Sequence, residues 1–409
     1  MPEAVIIAIA RSPIGRAFKG SLKDVRPDDL AATVVRAALD KVPALDPRDI
    51  DDLMLGCGLP GGEQGMNMGR VVAVKLGYDF LPGTTITRYC SSSLQTTRMA
   101  MHAIRAGEGD VFLSAGVETV SRFVKGNSDM IPGQELTNPV FDEAQARSSK
   151  AAEGGGDTWH DPREDGQLPD VYIAMGQTAE NLARLKGVTR QEMDEFAARS
   201  QNLAEKAIAN GFFEREITPV TTPDGTVVST DDGPRPGTTV EGMAGLKPVF
   251  RPDGLITAGN ACPLNDGAAA VLVMSEDRAR ELGLQPLARI LGSSVSGLAP
   301  EIMGVGPIVA LQKLFAQTGR SISDVDVVEL NEAFAAQVLP ICDEIGISVE
   351  DQLNPHGGAI ALGHPFGQTG ARIMGTLIND LQTLDKSIGI ETMCVGGGQG
   401  MAMMIERLA

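Results

Sequence analysis

Two blocks of this chain, one ahead of about Val120 and one after Gly254, alternate short apolar runs with longer stretches of helical period. A short apolar run bounded by turn signals fits a strand, and apolar residues recurring every three to four positions fit a helix. In the first block the strand-like runs are Val5–Ala10, Asp52–Gly56, Thr84–Tyr89 and Asp110–Ala115. Helical patterns cover Pro27–Lys41, Met68–Leu76 and Ser91–Arg105, with Asp28 and Asp29 at the positive end of the first and Gly107 as a stop for the third. The second block repeats the style. Strands are expected at Ala269–Met274, Ala288–Ser294, Val325–Leu330, Met393–Val395 and Met401–Ile405, and helices at Glu276–Leu282, Pro307–Thr318 and Glu332–Gly346. Strands separated by helices build βαβ units, so an α/β fold with a mainly parallel sheet is expected. No residue-level repeat relates the blocks, which leaves any duplication a matter of topology.

Between the blocks the character changes. Gly126–Pro169 is rich in Gly, Pro, Asp and Ser, and Gln145–Gln167 within it has little to bury, so it is expected to be the least ordered part. A long helix over Thr189–Asn210 and short strands through Pro248 follow. The expected organisation is an N-terminal half (1–120 and 252–275), an inserted loop unit (121–251) and a C-terminal half (276–409).

Composition narrows the function classes. A net charge of −18 argues against general nucleic-acid binding and against docking on anionic membranes. The five cysteines, Cys57, Cys90, Cys262, Cys342 and Cys394, include no CxxC pair, and the four histidines are too scattered to complete a zinc site. So few cysteines in so long a chain fit a reducing cytoplasm better than a disulfide framework. No apolar run is long enough to span a bilayer, and the first residues read as a buried strand rather than a targeting segment.

Four local patterns carry chemistry. In TITRYCSSSLQ, residues 84–94, a β-branched strand meets a small-residue turn and a helix start, which puts Cys90 where helix N–H groups lower a thiol pKa. Taken alone, a cysteine there is as readily a buried structural residue. In NPHGGAIALGHPFGQTG, residues 354–370, a short apolar strand leads to a Gly-His-Pro turn that would hold His364 rigidly as a base, while His356 reads as a packing residue. In CVGGGQG, residues 394–400, Cys394 ends a strand and enters glycines that let backbone approach a ligand, although alone this could be a phosphate loop. In NEAFAAQ, residues 331–337, Asn331 could simply cap a helix. Together, two thiols and an imidazole at strand-to-turn junctions suit attack on a carbonyl carbon coupled to proton transfer at a carbon acid.

These motifs, with ITAGNACPLNDGAAAVLVMSE at 256–276, MGQTAEN at 175–181 and the opening ARSPIG, occur in the order found in thiolases, and the chain resembles that family along essentially its whole length. The resemblance implies duplicated βαβαβαββ halves in a layered αβαβα core, with an inserted loop domain that binds coenzyme A. It implies acyl transfer between a Cys90 thioester and coenzyme A, with His364 taking the thiol proton and Cys394 as the second acid/base. Asn331 would orient a water that forms one oxyanion hole with His364, and the N–H groups of Cys90 and Gly396 would form the other. Arg235 matches a basic residue near the coenzyme A nucleotide, Leu246 and Phe250 match pantetheine-pocket residues, and Met175, Met303 and Phe334 match the acyl lining. Coenzyme A, acetyl-CoA and 3-ketoacyl-CoA would be the small-molecule partners, with no tightly bound cofactor and a homodimer or homotetramer as the assembly.

Departures from the family pattern bear on specificity. Ala174 stands where acetoacetyl-CoA enzymes often carry His, and Cys262, on the coenzyme A side, replaces the usual Ser and is followed by Pro263. The stretch Gln134–Pro169 also exceeds that of compact biosynthetic members, which leans the expectation toward a degradative 3-ketoacyl-CoA thiolase. A dedicated acetoacetyl-CoA enzyme, a decarboxylating ketosynthase and a silent acyl-CoA-binding relative are the alternatives.

Overall fold

The computed structural model describes residues 2–123, 137–156 and 158–409. Its first block runs β1 (Ala4–Arg11), the short β2 (Gly15–Arg16), α1 (Pro27–Asp40), β3 (Asp52–Cys57) and α2 (Met68–Lys75). It continues with β4 (Gly83–Ile86), α3 (Ser92–Ala106) and β5 (Val111–Thr119). Pro27 opens α1 with Asp28 and Asp29 in its first turn, and Gly107 closes α3 at φ 75°, a left-handed cap that glycine adopts without steric cost.

The middle holds α4 (Asp142–Ala152), α5 (Met175–Lys186), α6 (Arg190–Ala209), the ribbon β6 (Val220–Thr221) and β7 (Val227–Val228), and α7 (Val240–Ala244). Helix α6 starts in a capping box, in which the Thr189 hydroxyl accepts from the Glu192 N–H and the Glu192 carboxylate accepts from the Thr189 N–H. Contrary to the expectation for Gln145–Gln167, α4 reaches Ala152 and a 3-10 turn covers Pro162–Asp165. The sequence DEAQARSSKAA combines acidic residues in the first turn with good helix formers, so it needs little burial to be helical. Asp157 of that stretch, and Gly126–Leu136 of the wider loop-rich Gly126–Pro169, lie outside the described residues.

The second block holds β8 (Asn265–Ser275), α8 (Glu276–Glu281), β9 (Ala288–Gly297), α9 (Gly306–Thr318) and β10 (Val327–Leu330). Then come α10 (Ala335–Ile345), α11 (Ala359–Leu362), α12 (Thr369–Thr383), β11 (Ile388–Val395) and β12 (Gln399–Arg407). The strands join in the order β10-β11-β12-β9-β1-β8-β5-β3-β4, with β2 on β8. The two halves of this order match. β1-β8-β5-β3-β4 is answered by β9-β12-β11-β10, and a parallel bridge from Val328 to Leu353 stands where β4 does in the first half. The duplication is therefore visible in topology.

The mainly parallel sheet is not what forms. Among the named strands of the described residues, the parallel pairs are β3–β4, β3–β5 and β10–β11, while β1, β8, β9 and β12 pair antiparallel with their neighbours. The last strand of each half causes this. β12 follows β11 through the turn Gly396–Gly398, and a hairpin can only pair antiparallel, while β8 plays the same part beside β5. Hydrophobic runs carry no strand direction.

Helices α3 and α12 pack together between the half-sheets. Their Leu94, Met101, Met374 and Leu377 share one buried cluster with Val271 of β8 and Met401 of β12. Helices α1 and α2 cover the outer face of the first half, and α9 and α10 that of the second, which gives the αβαβα layering. The central crossing is tight at Gly370, where an added Cβ would lie 2.3 Å from the Leu94 backbone nitrogen. Gly370→Ala is therefore expected to destabilise the protein by about 1–3 kcal/mol through overpacking, seen as a lower urea midpoint in equilibrium unfolding.

Candidate active site

The strand expected to reach Tyr89 stops at Ile86, and Tyr89–Ser91 form a 3-10 turn into α3. Tyr89 sits at φ 44°, a left-handed conformation that is strained for a residue with a ring. The turn is held by side chains that follow it. The Arg88 N–H donates to Ser92 Oγ at 3.0 Å, and that hydroxyl donates to the Tyr89 carbonyl at 2.7 Å. Serines that bond to nearby backbone in this way compete with strand pairing. Cys90 is thereby turned inward and buried.

Burial pushes the Cys90 thiol up to about 11, although the N–H groups of Gly396 and of Cys90 itself oppose the rise. The lowered pKa expected from a helix N-terminus does not follow, because desolvation of the thiolate outweighs the two N–H groups. Cys90 at rest is a neutral thiol.

Residues 359–362 form one helical turn, α11, and not the expected strand; four residues are too few for periodicity to separate the two. The chain leaves α11 through Gly363 at φ 114°, where a Cβ would strike the Asn265 side chain at 2.6 Å. Asn265 Oδ1 in turn accepts from the His364 N–H at 3.0 Å. The His364 ring is fixed at Nδ1, which lies 2.6 Å from Thr369 Oγ1. That hydroxyl donates its one proton to the Pro365 carbonyl at 2.8 Å, so Nδ1 must be the donor and Nε2 keeps its lone pair. Asn331 Nδ2 faces Nε2 at 3.4 Å. Burial pushes His364 down to about 3, with Arg372 adding repulsion, so the imidazole is neutral at physiological pH.

Cys394 ends β11 at the turn Gly396–Gly398. It is fully buried, and desolvation raises its thiol well above the ordinary range, with Cys90 and Cys262 adding to the rise. Its thiol donates to Gln337 Oε1 at 3.0 Å, and Gln337 Nε2 donates to the Asn331 carbonyl at 3.2 Å. Asn331 does not cap α10, which begins later, at Ala335. Near the Cys90 turn lies Glu118, a buried carboxylate that accepts from the N–H groups of Gly58, Leu59 and Gly367 and from Gln64 Nε2. It thus ties the loop of His364 to the end of β3.

The remaining candidates fall into two groups. Met303, Phe334 and Cys394 belong to one buried apolar cluster, with Met175, Phe250 and Cys262 packed at its edge. Phe250 and Phe334 meet edge to face at 6.2 Å, and the Cys262 N–H donates to the Ala333 carbonyl at 3.0 Å. Arg235 and Leu246 are not in that cluster. Both are exposed and border the segment 258–259, where Arg235 Nη1 donates to the Ala258 carbonyl at 3.2 Å and Leu246 packs over Gly259. His356 stacks on Phe212 at 3.6 Å and bonds to Asp380, as a packing residue would.

Sequence reading passed over Gln337, Thr369 and Glu118. The first two lie inside motifs it quoted, six and five residues after Asn331 and His364, and a search for partners of those side chains would have reached them. Glu118 is the one charged residue of the wholly buried strand β5, which is the usual mark of a buried carboxylate with a task.

Comparison with known proteins gives this geometry its family. Residues 4–277 match the model of the thiolase N-terminal domain and residues 284–407 that of the thiolase C-terminal domain. The chain is 42% identical to a 3-ketoacyl-CoA thiolase of Saccharophagus degradans, over 99% of this chain and 98% of that one. It is 40% identical to a beta-ketoadipyl-CoA thiolase of Acinetobacter baylyi over the full length of both. Among solved structures, the Bacillus anthracis acetyl-CoA acetyltransferase superposes with a TM-score of 0.86 at 40% identity, covering 100% of this chain and 99% of that one. Human mitochondrial 3-ketoacyl-CoA thiolase in complex with CoA superposes with a TM-score of 0.84 at 33% identity, over 100% and 98%. With both halves matched and relatives aligned end to end, the chain belongs to the thiolase family.

Proposed function

We propose that this protein cleaves 3-ketoacyl-CoA by thiolysis, giving acetyl-CoA and an acyl-CoA shortened by two carbons, and that it catalyses the reverse condensation. The observation that carries the reading is the chain of contacts from the Cys394 thiol through Gln337 and Asn331 to His364 Nε2, with Cys90 close enough to Cys394 to raise its thiol further. In the forward direction Cys90 Sγ attacks the C3 carbonyl and its proton passes to His364 Nε2. The C2–C3 bond then breaks, and the Cys394 thiol protonates C2 of the departing acetyl-CoA enolate. The Cys394 thiolate next removes the proton of an incoming coenzyme A thiol, which attacks the Cys90 thioester, and His364 returns its proton to Cys90. The N–H groups of Cys90 and Gly396 stabilise the tetrahedral oxyanion, and Asn331 with His364 serves the enolate oxygen.

Residues 121–251 are proposed to carry the coenzyme A contacts, between the N-terminal half (1–120, 252–275) and the C-terminal half (276–409). Arg235 would lie near the nucleotide, Leu246 and Phe250 along the pantetheine, and Met175, Met303, Phe334 and Cys262 around the acyl end. A degradative role in β-oxidation is supported by the names of the 3-ketoacyl-CoA relatives and by Ala174 in place of His, and a cytoplasmic location by the small number of cysteines in so long a chain. The acetyl-CoA acetyltransferase neighbour favours acetoacetyl-CoA as the second reading. A homodimer or homotetramer is supported by the edge strand β4, half-exposed along its length, with exposed Val71, Val74 and Phe80 nearby.

Three measurements test this. Acetyl-CoA should acylate Cys90, as read by mass spectrometry of the peptides; Cys90→Ala should abolish turnover, while Cys394→Ala still takes up the acyl group but stalls. Label on Cys262 in place of Cys90 would overturn the assignment. Because Cys90 rests as a neutral thiol, its alkylation by iodoacetamide should rise by about tenfold per pH unit from pH 7 to 10, in step with the thiolate fraction. A plateau below pH 8 would mean an acidic thiol. Thiolysis rates across a series of 3-ketoacyl-CoA chain lengths separate the two substrate readings: activity on longer chains supports the degradative one, and activity on acetoacetyl-CoA alone the other. In the same assay, Arg235→Ala should raise the coenzyme A KM.

A further inference from the structure

The turn after Cys394 has to aim one N–H at Cys90, yet it is built of Gly396, Gly397 and Gly398, the last two at φ 75° and 80°. Three consecutive glycines fix an N–H direction poorly by themselves, because no side chain limits their torsions. A side-chain clamp supplies the missing restraint. Gln399 Nε2 donates to the Gly396 carbonyl at 3.2 Å, and Gln399 Oε1 accepts from Arg88 Nη1 at 2.8 Å. Arg88 lies two residues before the nucleophile, and it is itself braced by Nε, which donates to Gln95 Oε1 at 3.0 Å, and by its backbone N–H on Ser92. The guanidinium is half-buried, and desolvation lowers its pKa with no carboxylate among the causes. A half-buried cation with no carboxylate partner among the described residues, whose donors go to two amides, is costly to keep for stability alone.

We infer that Arg88 and Gln399 are positioning residues, which hold the Gly396 carbonyl and thereby restrain the torsions of Gly396, so that its N–H and that of Cys90 converge on the same oxyanion. This rests on the reading of Cys90 as nucleophile and Gly396 as oxyanion donor. Arg88 links the two sides of that site across 311 residues of sequence. The rigid fork of its guanidinium reaches Gln95 and Gln399 at once, which a lysine cannot do. The loss acts on acyl transfer to and from Cys90 and leaves the coenzyme A contacts alone.

The experiment compares the full-length protein with Arg88→Leu, Gln399→Glu and the double variant. Gln399→Glu keeps the side-chain volume and the acceptor for Arg88 but removes the donor to the Gly396 carbonyl. Since loss of a whole oxyanion donor costs about a hundredfold or more, its misalignment should lower kcat and the pre-steady-state rate of Cys90 acetylation by about tenfold, with KM values nearly unchanged. The double variant should be no worse than the poorer single one, as for two parts of one relay. Wild-type kcat in either folded variant, or additive losses, would overturn the relay while Cys90 acetylation in the unaltered protein still stood. Failure of that acetylation would overturn the underlying reading instead. Should Arg88→Leu not fold, Gln399→Glu decides alone.

Discussion

The packing of α3 against α12 is the contact from which the active-site geometry follows. Both helices lie between the half-sheets, and their N-terminal ends carry the turns of Cys90 and His364. Close approach at Gly370, backed by Ser93 Oγ accepting from the Ala371 N–H at 2.9 Å, sets how far apart those turns can be. A duplicated fold delivers this without further design. The same position in each half, the start of its central helix, supplies one of the two groups, and the hairpin that ends the second half adds Cys394 and the glycine turn.

Burial then decides the resting charge state. Cys90 and Cys394 are pushed up and His364 is pushed down, so all three are neutral although each could be charged in another setting. A preformed thiolate–imidazolium pair would have to be held in an apolar interior at the cost of two desolvated ions. In the proposed mechanism the neutral arrangement moves that cost into the step where it is useful, since the proton would leave Cys90 as the carbonyl is attacked and the new negative charge would arise where two N–H groups already point. Thr369 matters for the same reason. By holding Nδ1–H it leaves only Nε2 free to receive the proton.

Much of this was legible in the sequence. Most strands and helices of the two halves lie within a few residues of their expected ranges, because buried strands and amphipathic helices write themselves in apolar spacing, while α4, α5 and α7 of the middle region have no counterpart among the expectations. Strand direction was not legible, since period-two burial is the same for parallel and antiparallel pairs. The single turn of α11 and the early end of β4 at Ile86 also escaped, because each depends on a few side-chain-to-backbone bonds and not on a pattern. The thiol pKa is not legible for a related reason. A helix start is visible in sequence, but the depth at which it is buried is a property of the layers stacked around it.

Depth also bears on how the site tells its three thiols apart. Cys90, Cys394 and Cys262 are all raised by desolvation, so acidity at rest does not select the nucleophile. The selection must come from what each sulfur meets when it becomes an anion or a tetrahedral centre. Cys90 has its own N–H and that of Gly396. Cys394 has Gln337, whose Oε1 accepts the thiol proton and so favours a group that gives and regains it. Cys262 has only its own amide, and that amide is committed to the Ala333 carbonyl. On these contacts the proposed nucleophile, Cys90, is the thiol with donors to spare for an oxyanion, and Cys262 packs at the edge of the apolar cluster that holds Phe334.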